Sequence, residues 1–185
     1  MNDSEKAIFE QKMLEQATKI STLQCSFVQE KFSTLITEKA VSKGILLYLS
    51  PSMLRWEYTM PTPSVLILNG KDAVLLDKDG KRQGNGHVLK QLGNMIISII
   101  NGESLRQSKQ FSTKVFENEK DFVVVLTPIQ KRLKEYYQSI ELKLEKNTFL
   151  ASEIAMREKS GDKTVIILNN KKINEEIDTD KFTVK

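Results

Sequence analysis

The chain is poor in the residues that build metal centres and disulfide frameworks. Its 185 residues include one cysteine, Cys25, and one histidine, His87. A Cys/His zinc site or an iron–sulfur cluster needs clustered ligands, and a disulfide needs two cysteines. These sites are therefore excluded, and we expect no cofactor. Cys25 lies in an apolar stretch between Leu23 and Phe27, which predicts a buried side chain rather than a nucleophile.

Sequence signatures of catalysis are also missing. There is no G-x-S-x-G elbow, and Gly84-Asn85-Gly86 lacks the third glycine of a dinucleotide loop because position 89 is leucine. His87 opens an apolar segment, where a structural residue at a helix start is favoured over a lone general base. We therefore expect a protein that is not an enzyme.

Long apolar runs are absent. The longest, Ile45 to Leu49 and Phe122 to Leu126, have five residues each, whereas about 20 are needed to span a bilayer. With 39% hydrophobic and 28% charged residues, the sequence predicts a soluble, folded chain with one domain over residues 1–185. The start, Met1 to Ser4, has no basic or apolar signal region, so we expect any secretory signal to have been removed.

The net charge of +4 does not point to nucleic acid. The densest basic groups lack the interleaved aromatic residues of a single-strand binding platform, which favours solvated turns. These groups are Lys78/Lys81/Arg82 and Lys131/Arg132/Lys134.

The spacing of apolar residues predicts two helices. The first is capped by Asp3 or Ser4, carries Phe9, Met13, Ala17 and Ile20 on one stripe, and runs to about Thr22. The second covers 87–101 and is apolar at helical spacing, with Gly102 as a stop signal.

Period-two patterns predict about ten strands joined by short turns. The fold class is α+β, with one continuous antiparallel meander forming a strongly curved sheet that its helices wrap or cap. The first strand covers about a dozen residues from Gln24 and includes Thr34, Ile36 and Thr37. The others cover 43–50, 53–60, 64–68, 73–77, 111–116, 121–127, 136–144, 150–157 and 164–169.

One strand has a markedly apolar face. Leu54, Trp56, Tyr58 and Met60 alternate with polar residues and project to the same side. An ordinary core explains this stripe, and so does a lipid pocket.

The sequence around this strand resembles the periplasmic outer-membrane lipoprotein carrier family, the LolA-like proteins. Cys25-Ser26-Phe27-Val28-Gln29 resembles the family's "SF-x-Q" opening strand. The continuation to position 71 follows the order "G-x-L … P … W-x-(Y) … P … (D/N)-G-K", and a looser match extends over nearly the whole chain. Its residues are Ser42-Lys43-Gly44, Leu47-Tyr48-Leu49, Pro51, Leu54-Arg55-Trp56-Glu57-Tyr58, Pro61 and Asn69-Gly70-Lys71.

This resemblance implies an open, incomplete barrel of ten to eleven strands whose concave apolar face is covered by helices. It also implies a non-enzymatic periplasmic carrier that binds the acyl chains of lipid-modified proteins and moves them from the inner to the outer membrane. The implied cavity residues are Leu47, Leu49, Leu54, Trp56 and Tyr58. The implied lid residues are Val88, Leu92, Met95, Ile96, Ile99 and Ile100.

At one position the chain departs from the family. Many members have an arginine directly before the conserved proline, where it helps to latch the lid, and this chain has Ser50. Arg55 is nearby in sequence but falls on the opposite strand parity from Leu54 and Trp56.

The implied partners are lipid-modified proteins, an inner-membrane lipoprotein-releasing transporter and an outer-membrane acceptor, with the chain itself a monomer. An envelope lipid or lipoprotein sensor, or a general lipid-binding module on the same fold, is the alternative. A lipid- or glycan-processing enzyme would need carboxylate or Ser/His pairs among the cavity positions, and the apolar stripes contain none.

Overall fold

The computed structural model describes residues 1–70, 72–83, 86–103 and 110–183. Within this part, the side chains of residues 3, 86–89, 91 and 92 are left undescribed. The helices are α1 Asp3–Ala17, α2 Gly86–Ile100, α3 Lys131–Tyr136 and a C-terminal 3₁₀ helix, Thr179–Phe182.

The N-cap of helix α1 is Asn2, the residue before the predicted caps Asp3 and Ser4. The Asn2 side chain accepts a hydrogen bond from the Glu5 backbone N–H, and the Glu5 carboxylate accepts one from the Asn2 N–H, which completes a capping box. Phe9 and Met13 are buried, as predicted. The helix ends at Ala17 rather than near Thr22 because residues 18–21 form the turn into the first strand.

The described residues form ten strands, in agreement with the prediction of about ten. They are β1 Thr22–Phe32, β2 Ala40–Leu49, β3 Met53–Met60, β4 Ser64–Asn69, β5 Asp72–Asp77, β6 Phe111–Glu117, β7 Asp121–Pro128, β8 Tyr137–Glu145, β9 Ala151–Glu158 and β10 Lys163–Ile173.

The strands form one antiparallel sheet in the order β5-β4-β3-β2-β1-β10-β9-β8-β7-β6. The sheet therefore consists of two meanders, β1 to β5 and β6 to β10, which are joined by the pairing of β1 with β10. The prediction of one continuous meander is wrong at this point. Helix α2 separates β5 from β6, and the β1–β10 pairing joins distant segments that no local turn signal can reveal.

Two further predictions are corrected. The first strand ends at Phe32, and residues 33–39 form a loop that packs against the turn between β9 and β10. There the Asp162 Oδ1 accepts hydrogen bonds from the Thr34 N–H at 3.0 Å and from the Thr34 hydroxyl at 3.3 Å. The second basic group, predicted as a turn, begins the exposed one-and-a-half-turn helix α3.

Alternate residues of the curved sheet face a continuous apolar cluster on its concave side. Inward side chains from every strand except the edge strand β5 are buried in it, together with Phe9 and Met13 of α1 and the C-terminal half of α2. A smaller apolar cluster lies on the opposite side of β2 and β3, under the 3₁₀ helix.

Candidate functional site

Strand β3 contributes the wall of the candidate site. Leu54, Trp56 and Tyr58 all pack in the concave cluster, and Leu54 and Trp56 are almost completely buried. In the neighbouring strand, Leu46 pairs with Trp56 and Tyr48 pairs with Leu54. Because paired residues point to the same side of a sheet, the structure adds Leu46 and Tyr48 to this wall.

The structure corrects the assignment of Leu47 and Leu49 to the same face. Leu47 pairs with Arg55 and Leu49 with Met53, so both leucines point to the convex side. Leu47 is buried there in the small cluster with the C-terminal segment, and Leu49 packs against that cluster. The run Ile45 to Leu49 is apolar on both faces, so its alternation carries no signal of which residues face the cavity.

Three aromatic rings form one end of the wall. The Phe27 centroid lies 4.7 Å from that of Trp56 and 5.2 Å from that of Tyr58. The Tyr58 hydroxyl donates a hydrogen bond to the Gln29 Oε1 at 2.9 Å, and burial raises the Tyr58 pKa. The Trp56 Nε1 is buried and makes no hydrogen bond with a group in the described part of the chain.

Helix α2 covers the wall. Ile96, Ile99 and Ile100 are buried in the concave cluster, and Met95 packs against it. The structure thus brings these four predicted lid residues to the same cluster as Leu54 and Trp56. The side chains of the two other predicted lid residues, Val88 and Leu92, lie outside the described part of the structure.

Helix α2 approaches the sheet closely at Gly93. A Cβ atom at this position would lie 2.3 Å from the Leu68 Cδ1 and 3.4 Å from the Leu54 Cδ2. Real Cβ atoms do not approach other atoms to 2.3 Å, so any larger residue would displace the buried Leu68 side chain or α2 itself. Sequence reasoning missed this contact, although a glycine inside an apolar helix is a signal of close packing.

A cavity of about 430 Å³ lies along one side of α2, within the size range of small-molecule sites. Its lining combines apolar and polar side chains. They are Asn94, Met95, Ser98, Glu103, Gln110, Phe111, Gln130, Arg132, Leu133, Tyr136 and Tyr137. Neither the helix α3 nor this cavity was part of the sequence prediction.

Ser50, which stands where many family members have an arginine, directly follows the last residue of β2. The Ser50 N–H donates to the Ser21 carbonyl at 2.9 Å, and the residue is exposed. Arg55, on the convex face, binds the C-terminal segment instead of the lid: its Nη1 donates to the Lys181 carbonyl at 3.1 Å, and its Nε donates to the Glu57 carboxylate.

Cys25 is buried in the concave cluster, as predicted. Loss of water around the thiol raises its pKa from 9.0 to about 12, so the thiol stays protonated near neutral pH.

Across the described residues, no three carboxylate, cysteine or histidine side chains come together as a metal site would require. The same residues contain no helix of the length and apolarity that crossing a bilayer demands.

Comparisons with known proteins agree with this architecture. A LolA superfamily protein from Nitrosomonas europaea superposes with a TM-score of 0.51 at 15% identity, over 94% of this chain and 97% of that one. The Mycobacterium tuberculosis lipoprotein LppX gives 0.52 at 11% identity, over 96% and 99%.

A third similar structure is the MucA/MucB complex of Pseudomonas aeruginosa. Its matching chain gives a TM-score of 0.56 at 11% identity, with 97% of this chain covering 61% of that one. At such identities these likenesses concern the fold. No curated protein sequence matches the chain.

The family described as "Outer membrane lipoprotein carrier protein LolA" matches residues 18–185. This range contains all ten strands, the wall on β3 and the covering helix α2. The chain therefore belongs to the LolA family of outer membrane lipoprotein carrier proteins.

Proposed function

We propose that the protein is a periplasmic carrier that takes the acyl chains of a lipid-modified protein into its concave apolar face and releases them at the outer membrane. The observation that carries this proposal is the packing of α2 on the wall. Met95, Ile96, Ile99 and Ile100 belong to the same apolar cluster as Leu54 and Trp56, so displacing one apolar helix would expose an apolar surface.

The energetics favour an exchange of one apolar occupant for another. Burial of a 16-carbon acyl chain is favourable by about 0.8 kcal/mol per methylene, or about 12 kcal/mol in all before any cost. Such a chain would be held too tightly to release. Re-exposing a buried isoleucine costs about 1.5 to 3 kcal/mol, so displacing the three buried lid isoleucines offsets a large part of that gain.

The cavity beside Met95 offers a starting point for this exchange. It already lies against the lid, and its polar groups, among them Arg132 and Gln130, suit the ester and peptide ends of a lipid-modified protein. Binding of this kind needs only burial and hydrogen bonding, without bond chemistry. In this proposal the whole chain, as one domain and a monomer, receives its cargo from an inner-membrane releasing transporter and passes it to an outer-membrane acceptor.

Trp56 provides a direct test, because it is the chain's one tryptophan and lies on the proposed wall. Stearic acid brominated in the middle of its chain quenches tryptophan fluorescence on contact, whereas unbrominated stearic acid does not. We expect saturable quenching by the brominated acid and competition by a synthetic triacylated lipopeptide. Saturable binding without quenching would place the ligand away from Trp56 and contradict the site.

A second experiment separates a carrier from a lipid-binding sensor on the same fold. The loaded protein is mixed with acceptor vesicles, and the labelled lipopeptide left on the protein is measured over time. A carrier loses its cargo to the vesicles, while a sensor retains it. Retention with intact Trp56 quenching would therefore support lipid binding and contradict the transfer role.

A further inference from the structure

Antiparallel pairing collects the ends of all ten strands at two opposite rims of the sheet. One of them, which we call the loop rim, contains the β1–β2, β3–β4, β7–β8 and β9–β10 connections, the end of β5 and the start of β6. It consists of residues 30–43, 60–64, 77–83, 110–111, 129–137 and 157–163.

The loop rim carries most of the exposed apolar surface. Of the twelve large hydrophobic side chains that are exposed among the described residues, seven lie on it, although the rim comprises only 44 of the 174 described residues. Such a concentration is unusual for a free surface and marks an interaction site. The seven are Phe32, Leu35, Ile36, Val41, Met60, Ile129 and Tyr136.

The most prominent of these side chains stand on a loop that is held in place. Leu35 is 92% exposed and Ile36 is 65% exposed. The loop is fixed by the hydrogen bonds from Thr34 to Asp162 and by one from the Leu35 N–H to the Ser33 hydroxyl at 3.2 Å. Polar anchoring at Ser33, Thr34 and Leu35 therefore presents two leucine-sized side chains to the solvent.

The loop rim is also the positive end of the molecule. Its segments contain twelve lysines and arginines and seven acidic residues, a net charge of +5, which exceeds the +4 of the entire chain. Both dense basic groups of the sequence lie on it, at residues 78–82 and 131–134. Two lysines, Lys39 and Lys163, lie about 6 Å from the centre of the exposed Phe32 ring.

We propose that the loop rim docks onto the surface of an anionic phospholipid bilayer. Exposed apolar side chains enter the interface while the surrounding cations meet lipid phosphates, a combination typical of peripheral membrane contacts. Seven of the eleven residues that line the cavity beside α2 come from the same rim. Docking would therefore turn the cavity toward the membrane. It goes beyond the proposed carriage of acyl chains and does not depend on a ligand in the cavity.

The test is co-sedimentation of the full chain with vesicles of phosphatidylcholine alone and of equal parts phosphatidylcholine and phosphatidylglycerol. We expect binding to the anionic vesicles, weakened in about 1 M salt, where screening acts within about 3 Å. The double variant Leu35→Ser/Ile36→Ser should lower the affinity about tenfold. The control, Ile8→Ser/Phe116→Ser, removes two other exposed apolar side chains, 55% and 51% exposed, that lie off the rim and should leave binding unchanged.

A charge variant tests whether the cations of the loop rim contribute to docking. Lys131→Gln/Lys134→Gln should weaken binding to anionic vesicles, by roughly fivefold for each lysine, while Lys19→Gln/Lys120→Gln, away from the rim, should have a much smaller effect. Quenching of Trp56 by brominated stearic acid should persist in all these variants, so that failure of docking is distinguished from failure of acyl-chain binding.

Three outcomes would overturn the proposal. The first is no binding of the unaltered protein to anionic vesicles. The second is equal loss from rim and control variants, which would assign binding to the molecule as a whole. The third is self-association in sedimentation equilibrium that is lost in Leu35→Ser/Ile36→Ser, with no vesicle binding, which would assign the rim to a second copy of the chain.

Discussion

The two sides of strands β2 and β3 are both apolar and both covered, but the covers are of different kinds. On the convex side, Phe182 fills the small cluster with Leu47, and its segment is fixed by directional hydrogen bonds. Asn69 donates to the Phe182 carbonyl and Arg55 to the Lys181 carbonyl. On the concave side, α2 meets Leu54 and Leu68 through apolar contact and the close approach at Gly93.

This difference indicates which cover can be exchanged. Hydrogen bonds specify direction and distance, so the C-terminal segment has one position and its loss leaves polar groups without partners. Apolar packing is non-directional, and an acyl chain supplies the same chemistry as the isoleucines of α2. We therefore infer that the convex cover is structural and that the concave one is the gate.

The largest expected effect is on the convex side. Phe182→Ala removes an almost completely buried ring and should lower the free energy of unfolding by about 3 to 5 kcal/mol, measured by urea denaturation. Binding of brominated stearic acid by the molecules that remain folded should be unchanged. We therefore expect the total amount of bound acid to fall only in proportion to the number of folded molecules. A lower affinity of the folded molecules would contradict a purely structural role for the convex cover.

A matched pair of leucines compares the two faces directly. Leu54→Ala and Leu47→Ala each empty a buried position and should each lower the free energy of unfolding by about 2 to 5 kcal/mol. Only Leu54→Ala should also change the affinity for brominated stearic acid, because only Leu54 lies under α2. Equal changes in affinity from the two variants would contradict the assignment of the ligand to the concave face.

Gly93→Ala tests the gate itself. Its Cβ atom would collide with the Leu68 Cδ1 at 2.3 Å, so the closed position of α2 should lose about 1 to 3 kcal/mol. Uptake of brominated stearic acid, followed by stopped-flow quenching of Trp56, should become faster. Gly80→Ala, at an exposed turn with a φ of +74° and open space around it, strains the backbone away from the gate and serves as the control for a destabilising glycine replacement. Slower uptake in Gly93→Ala would identify α2 as a fixed part of the core.

The effect that is smallest at neutral pH lies on the alkaline side of the stability profile. The folded protein raises the Cys25 pKa from 9.0 to about 12 and so holds the thiol proton more tightly than the unfolded chain does. This contribution is complete below pH 9 and is lost as the pH rises toward 12, at no more than about 1.4 kcal/mol per pH unit. Cys25→Ala should have a shallower decline of unfolding free energy above pH 9. If Cys25→Ala and the unaltered protein decline equally above pH 9, the thiol has the same pKa in the folded and unfolded chains.

The strands and their bounds were largely predictable because they depend on local patterns. Period-two alternation and short turns placed β3 at Met53–Met60, and helical spacing placed α2 within one residue at each end. The loop after Phe32 was not predictable in this way. Its β-branched residues, Thr34, Ile36 and Thr37, have strand propensity, but hydrogen bonding to Asp162 across the sheet holds the segment as a loop.

Three of the five residues predicted for the wall face the concave cluster for the same reason. Leu54, Trp56 and Tyr58 alternate with polar residues, so the sequence states which three share a face. Leu47 and Leu49 do not, because every residue from Ile45 to Leu49 is apolar and both sides of β2 are covered. The roles of Leu54, Trp56 and Tyr58 as cavity residues, and of the α2 residues as a lid, stay predictions.

The sequence by itself determined most of the helix and strand segments, the absence of a disulfide framework and the resemblance to the carrier family. Each of these depends on residue types or on residues near one another in the chain. Only the tertiary structure decided that β1 pairs with β10, that Leu47 faces the C-terminal segment, and that distant basic and apolar loops share one rim. These features depend on register and on contacts across more than a hundred residues, and one polypeptide pattern is compatible with several such pairings until the whole sheet is assembled.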